Sequence, residues 1–227
     1  MNMQKIRPHL PWITLVVLVA IVGAANPGFL RPANLLEMAG DIVPLFVMAL
    51  GMTFVVYIGG IDLSAQSMAN LITVVATIYL ATLGPFVALL CIALGFGLGY
   101  LSGFVTTRLL VPSFISTLAT GGLAFSMAQW LSGQRAVTMD ADQRNRVFGW
   151  MIGKTGIVPN ELIIAVVLLG IALFIERRTT LGRVLKAVGA GELAAAASGI
   201  NVARFKILAF AISGSLAAIA GLIFAVK

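Results

Sequence analysis

The side chains that could do chemistry in this chain are few, and their spacing narrows what they can do. There is one cysteine, Cys91, and one histidine, His9. An intrachain disulfide, a histidine proton relay and a histidine-based metal site are excluded on residue count alone. No nucleophile stands beside a base at a useful spacing, and no ligand cluster suggests a metal or cofactor. The reading is therefore not an enzyme. Gly149–Thr155 imitates a phosphate-binding loop, but it has three residues between its glycines where that loop needs four. Asp62 is the only acid between Asp41 and Asp140. A charge at the middle of a bilayer costs at least about 2.5–3.5 kcal/mol. Asp62 must then lie at an interface or face a polar interior. It sits in Gly59-Gly60-Ile61-Asp62-Leu63-Ser64, where the glycine pair breaks helical continuity. Two roles stay open: Asp62 or Ser64 caps the following helix, or the broken segment lines or gates a passage, where irregular backbone can meet water. A second polar group follows Pro112. Ser113, Ser116, Thr117 and Thr120 set hydroxyls along the first turns of a helix, to bond back to its carbonyls or to offer hydrogen bonds to a polar solute.

The elements that must hold these residues are membrane spans. Apolar residues make up 60% of the chain and charged residues 10%, against about 45–50% and about 25% in soluble domains. From Ile42 to Gln134 only Asp62 and Arg108 are charged. A span needs about 20 apolar residues. Runs near 11–26, 42–58, 66–83, 85–107, 113–131, 159–175 and 207–226 predict about seven transmembrane helices in an all-α, polytopic membrane protein. Val87–Leu94 and Leu162–Ile175 do not alternate, which argues against a β-barrel. Lys5 and Arg7 ahead of an apolar run imitate a signal peptide, but Ala24-Ala25-Asn26-Pro27 is a poor cleavage site, which favours an uncleaved first helix. Cys91, within an apolar run, reads as a small lipid- or helix-facing residue.

Counting basic residues between alternating spans gives nine on the side of the N-terminus and five on the other. That puts the N-terminus in the cytoplasm by the positive-inside rule. The net charge of +7 comes from these loops, so nucleic acid is not implied. Gly95, Gly99 and Gly103, four apart, form a small-residue stripe for close helix packing. In the basic stretch 176–206, Gly191 can cap a helix, Glu192 complements its start, the alanine run favours it, and Gly199 ends it. A short exposed helix over 192–199 follows, either a plain connector or a docking element presented to a soluble partner.

These blocks resemble the ribose-type monosaccharide ABC-transporter permeases. Gly51-Met-Thr-Phe-Val-Val-Tyr-Ile-Gly-Gly-Ile-Asp-Leu-Ser64 is similar to the family signature. Pro112-Ser-Phe-Ile-Ser-Thr-Leu118 matches a second block. Thr180-Leu-Gly-Arg, Ala187-Val-Gly and Ala194-Ala195 with Ser198-Gly-Ile-Asn-Val202 match a third, the cytoplasmic coupling region. Ala65-Gln66 departs from the family's usual glycine, Ser113 from its frequent proline, and Gly191 from its frequent asparagine. The resemblance implies a permease domain over 1–227 in the bacterial inner membrane, continued in the family by further helices after Lys227. It implies a second permease subunit, membrane lipid around both, an ABC ATPase subunit and a periplasmic sugar-binding protein. Substrate-pathway residues are expected among Gly59, Gly60, Asp62, Ser64, Ser116 and Thr117. ATPase coupling is expected at Glu192, Ala195, Ser198, Gly199, Ile200 and Asn201. An ion-coupled secondary transporter is the alternative, with Asp62 as its one candidate ionisable group.

Overall fold

A computed structural model describes residues 10–227; the expectations for Lys5, Arg7 and His9 lie outside them. Ten α-helices follow one another among the described residues: α1 (Leu10–Ala25), α2 (Pro32–Tyr57), α3 (Ala65–Leu83), α4 (Val87–Arg108), α5 (Ser113–Ser132), α6 (Ala141–Ile152), α7 (Asn160–Arg178), α8 (Thr180–Ala190), α9 (Glu192–Ala197) and α10 (Val202–Val226). Three stretches are long and apolar enough to cross a membrane: Pro32–Tyr57, the run Ala65–Arg108 in which one tight turn joins α3 to α4, and Val202–Val226. Each of the other predicted spans coincides with a shorter or more polar helix, α1, α5 or α7.

The predicted boundaries hold least well for α2, which starts ten residues before its predicted span, at Pro32. Proline's fixed φ suits a first turn, and the charges this adds are paired at one end of the bundle. Glu37 bonds Lys154 at 2.5 Å, and Asp41 bonds Lys227 at 2.8 Å. Lys227 also lies 2.7 Å from buried Glu161. Burial pushes the Lys227 ammonium down, but its bonds to Asp41 and Glu161 outweigh this and leave it above the usual lysine value. The loop expected over 132–158 contains α6, started by Asp140, whose carboxylate accepts the Gln143 N–H at 2.9 Å. The false phosphate-binding loop divides between the end of α6 and a two-residue strand pair, Lys154–Thr155 against Val158–Pro159.

α10 occupies the centre and packs on α2, α3 and α4. Lipid tails are as apolar as leucine, so membrane helices associate by close packing of small residues. The α4–α10 seam does this through backbone. A methyl added at Gly95 would overlap the Gly214 carbonyl, and one at Gly99 the Phe210 carbonyl; at Gly103 it would lie 2.7 Å from Ile207 Cα. Cys91 is fully buried among these helices. On α1 and α5 the large apolar residues turn outward instead. No residue of α1 is buried, and α5 exposes Phe114, Ile115, Leu118 and Phe125 while burying Ser116, Thr117, Thr120 and Gly121.

Candidate functional site

One end of the bundle gathers the break after α2, the loop before α5, and α8 with α9. α2 stops because Gly59 takes φ +72°, which lets the Gly59 and Gly60 N–H groups bond back to the carbonyls of Val56 and Val55 at 2.9 and 3.0 Å. The chain then runs without regular secondary structure to Ser64. Such backbone in an apolar setting leaves its N–H groups unpaired, and an unpaired buried group is expensive. Here side chains satisfy them. Ser113 Oγ accepts the Ile61 N–H at 3.0 Å, and Thr117 Oγ1 accepts the Leu63 N–H at 3.1 Å. Asp62 Oδ1 accepts both the N–H of Ser64, at 2.9 Å, and its hydroxyl, at 2.5 Å. Asp62 Oδ2 accepts the hydroxyl of Ser213, on α10, at 2.7 Å.

Asp62 is only 3% exposed, and all its hydrogen-bond donors are hydroxyls or backbone. Neither Asp62 nor Ser64 caps α3 in the expected manner: Ser64 holds the N-cap position, but its side chain accepts nothing from the first turn. The aspartate instead closes a turn onto its own neighbour and pins that turn to α10. The hydroxyls of α5 likewise do more than bond their own helix. Ser113, Thr117 and Thr120 recur at helical spacing, so one face meets both the break and α4. Thr120 shares a hydrogen bond with Ser102 at 2.6 Å, and Ser116 one with Thr106 at 2.5 Å. A methyl at Gly121 would lie 3.3 Å from Ser64 Cα, so α5 lies tight against the break.

Asp62, Ser64, Ser116 and Thr117 are thus gathered and buried; Ser64 bonds Asp62, Thr117 bonds the Leu63 N–H between them, and Ser116 bonds Thr106 of α4. Gly59 and Gly60 face elsewhere. With Pro112, Ser113, Glu192 and Lys206 they line a cavity of about 330 Å³. The cavity lining also carries an ion pair, Glu192 to Lys206 at 2.5 Å, between α9 and α10.

α9 runs over Glu192–Ala197, with Gly191 at its start. It is shorter than the expected 192–199. Gly199 turns left-handed at φ +81°, and the N–H groups of Gly199 and Ile200 return to the carbonyls of Ala196 and Ala195. Glu192, Ser198, Gly199 and Asn201 are exposed, Ile200 is half-buried and Ala195 is buried against the bundle. The Asn201 side chain caps α10, accepting the Arg204 N–H at 3.2 Å. Sequence reasoning missed Leu193, 88% exposed and the most prominent apolar side chain of α9. Its signal was the one large apolar residue in an alanine run. It also missed Ser213, a serine in a long apolar span.

Apolar helices around a small-residue core, with a polar helix break beside a short exposed helix, α9, define a helical membrane protein. Residues 34–227 match the family described as the permease component of the branched-chain amino acid transport system. The ribose import permease protein RbsC of Haemophilus influenzae is 33% identical over 219 residues, covering 93% of this chain and 67% of that protein. RbsC of Bacillus subtilis is 33% identical over 229 residues, covering 97% and 68%. The galactofuranose transporter permease protein YtfT of Escherichia coli is 31% identical over 201 residues, covering 87% and 57%. No solved structure matches. The chain belongs to this permease family and within it to the ribose-type ABC-transporter permeases. It is a membrane permease subunit of an ABC importer, and ion-coupled transport is not favoured.

Proposed function

We propose that this chain forms the translocation pathway through which an ATP-driven importer passes a monosaccharide handed over by a periplasmic binding protein. Ribose is the first candidate, from the names of its relatives. The chain acts as a single permease domain with seven spans, its N-terminus in the cytoplasm of a bacterial cell. It pairs with a second permease subunit, identical or related. ATPase subunits dock on 176–206, chiefly on the exposed side of α9. The break around Gly59, Gly60, Asp62 and Ser64, with Ser116 and Thr117 behind it, is the part of the pathway that responds. Gly95, Gly99 and Gly103 keep α4 and α10 together while it does. The chain carries out no bond-breaking chemistry of its own.

One observation carries this reading. The helix break and the short exposed helix meet at one cavity, so a partner that pulls on α9 pulls on the break's surroundings. The reading is tested by reconstituting the permease with the ATPase and binding protein in liposomes and measuring uptake of radiolabelled D-ribose. Uptake should require ATP inside the vesicle system and survive an ionophore. Uptake that collapses with the ionophore and ignores ATP depletion would overturn it. Gly199→Pro with Glu192→Lys should abolish ATPase association; unchanged association would remove the docking role from α9.

A further inference from the structure

Two apolar features of this molecule lack a counterpart among the described residues. The first is α1. No residue of it is buried, and it packs along none of the other helices. Its end meets the loop that follows, where a methyl added at Gly23 would lie 2.8 Å from Leu30. That loop is braced. Asn26 Oδ1 accepts the Gly28 N–H at 3.1 Å, Asn34 Nδ2 donates to the Gly28 carbonyl at 3.3 Å, and the Arg31 N–H bonds the same carbonyl at 3.2 Å. The turn therefore fixes the direction in which α1 departs from α2, and that direction carries it away from its own bundle.

The second feature is a groove between α2 and α7. One part of it, about 300 Å³, has an apolar lining that includes Ala39, Val43, Leu162, Ala165 and Val166. The other part, about 240 Å³, continues past the shared Leu169 to Thr53, Tyr57 and Glu176. The apolar part offers a sugar's hydroxyls nothing to bond, so the groove is no part of the sugar's path. From Ala39 to Tyr57 it follows α2 for about 27 Å, and α1, with 16 residues, is about 24 Å long.

Helix and groove also match end for end. α1 precedes α2, so it begins at the membrane face where α2 stops. A second copy in the same orientation sets its Trp12 and Thr14, the polar side chains of α1, level with Thr53, Tyr57 and Glu176, the polar end of the groove. It sets Ala20 and Ala24, four apart on one helical face, level with Val166 and Leu162, where Ala39 and Ala165 keep the groove open. Small residues on both sides let membrane helices approach closely, which favours a helix over lipid as the occupant.

We infer that α1 of one permease copy seats in the α2–α7 groove of a second copy, and reciprocally, so that the pair is joined by exchange of its first helix. The inference rests on the paired permease of the reading above and names the surface through which it pairs.

The test uses two differently tagged copies of the chain, both carrying Cys91→Ala, co-expressed with the ATPase and binding protein. One copy carries Ala20→Cys and the other Val166→Cys. Oxidation of the membranes with copper phenanthroline should give a disulfide-linked dimer that holds both tags. Leu89→Cys, exposed on α4, should give at least about tenfold less dimer in place of Val166→Cys. Ala24→Trp in the first copy should lower the yield about tenfold, by overpacking a fitted helix contact, and Ala24→Gly should keep it. An Ala24→Trp copy that cross-links like the parent overturns the inference. With both cysteines on one chain, a disulfide confined to the monomer overturns it as well, with α1 folded into its own groove. Absence of any disulfide in membranes whose parent complex imports D-ribose with ATP overturns it alone, with lipid or another helix in the groove. A parent whose two tags do not co-purify and which shows no ATP-driven uptake overturns the importer reading, and the inference with it.

Discussion

Two seams in this molecule solve the same problem in opposite ways. α4 meets α10 through Gly95, Gly99, Gly103 and Gly214, where side chains are removed so that backbones touch. The break meets α5 and α10 through Ser113, Thr117, Ser213 and Asp62, where side chains are added so that exposed backbone is satisfied. In the first seam every backbone group is already paired within its helix, so the contact has one arrangement and resists change. In the second, each hydroxyl can turn about χ1 and accept or donate elsewhere. The first arrangement suits a frame and the second a part that must move.

The largest expected effect breaks the first seam. Gly99→Val would drive its Cβ into the Phe210 carbonyl and add two more carbons to a closed seam, and such overpacking costs about 3 kcal/mol or more where nothing can give. Loss of folded protein on size exclusion in detergent should follow, with no recovery by a polar residue. Next is Asp62→Ala, which strands the Ser64 N–H and the Ser213 hydroxyl. Each stranded group costs about 1–3 kcal/mol. The thermal midpoint in detergent should fall, with the protein still assembling but ATP-driven uptake lost. Thr117→Val removes one acceptor for the Leu63 N–H, a loss of about 1 kcal/mol, while Thr117→Ser should behave as the parent in both melting and uptake. The smallest effect is the control. Glu37→Gln removes an ion pair whose side chains are half exposed, and a shift of about 0–1 kcal/mol, shrinking with salt, is expected. If Gly99→Val melts no lower than Thr117→Val, the contrast between the seams fails.

The frame was largely legible in the sequence because it is written in composition and period. A run from Ile42 to Gln134 with two charges can only be membrane helix. Glycines four apart can only form a stripe, although the partner helix, α10, was not visible. The start of α9 was also readable from Gly191, and its stop at Gly199 to within two residues, since both act through local backbone. The break was half legible. Gly59-Gly60 and the lone acid marked it, but Asp62's partner Ser213 lies 151 residues away, and no local signal links them. α6 was missed because its first turns are polar and no apolar period marks it; only Asp140 announced its start. α8 was not predicted, since Gly182 and Gly189 weaken the helix propensity of its stretch. In the fold they sit inside a helix, at the points where it touches Glu176 and Tyr57, and close contact outweighs propensity.

Pro44, buried within α2, has a mechanical consequence. Proline has no N–H to give the carbonyl four residues back, so α2 lacks one rung there, at Gly40. On one side of that missing rung, Glu37 and Asp41 moor the helix to Lys154 and Lys227. On the other side, the segment down to Tyr57 meets α8. The helix is therefore least braced by its own bonding there, where a bend costs least. A twist applied at Tyr57 can be taken up near Pro44 before it strains the moorings, which gives the two faces of the membrane a measure of independence along one continuous helix.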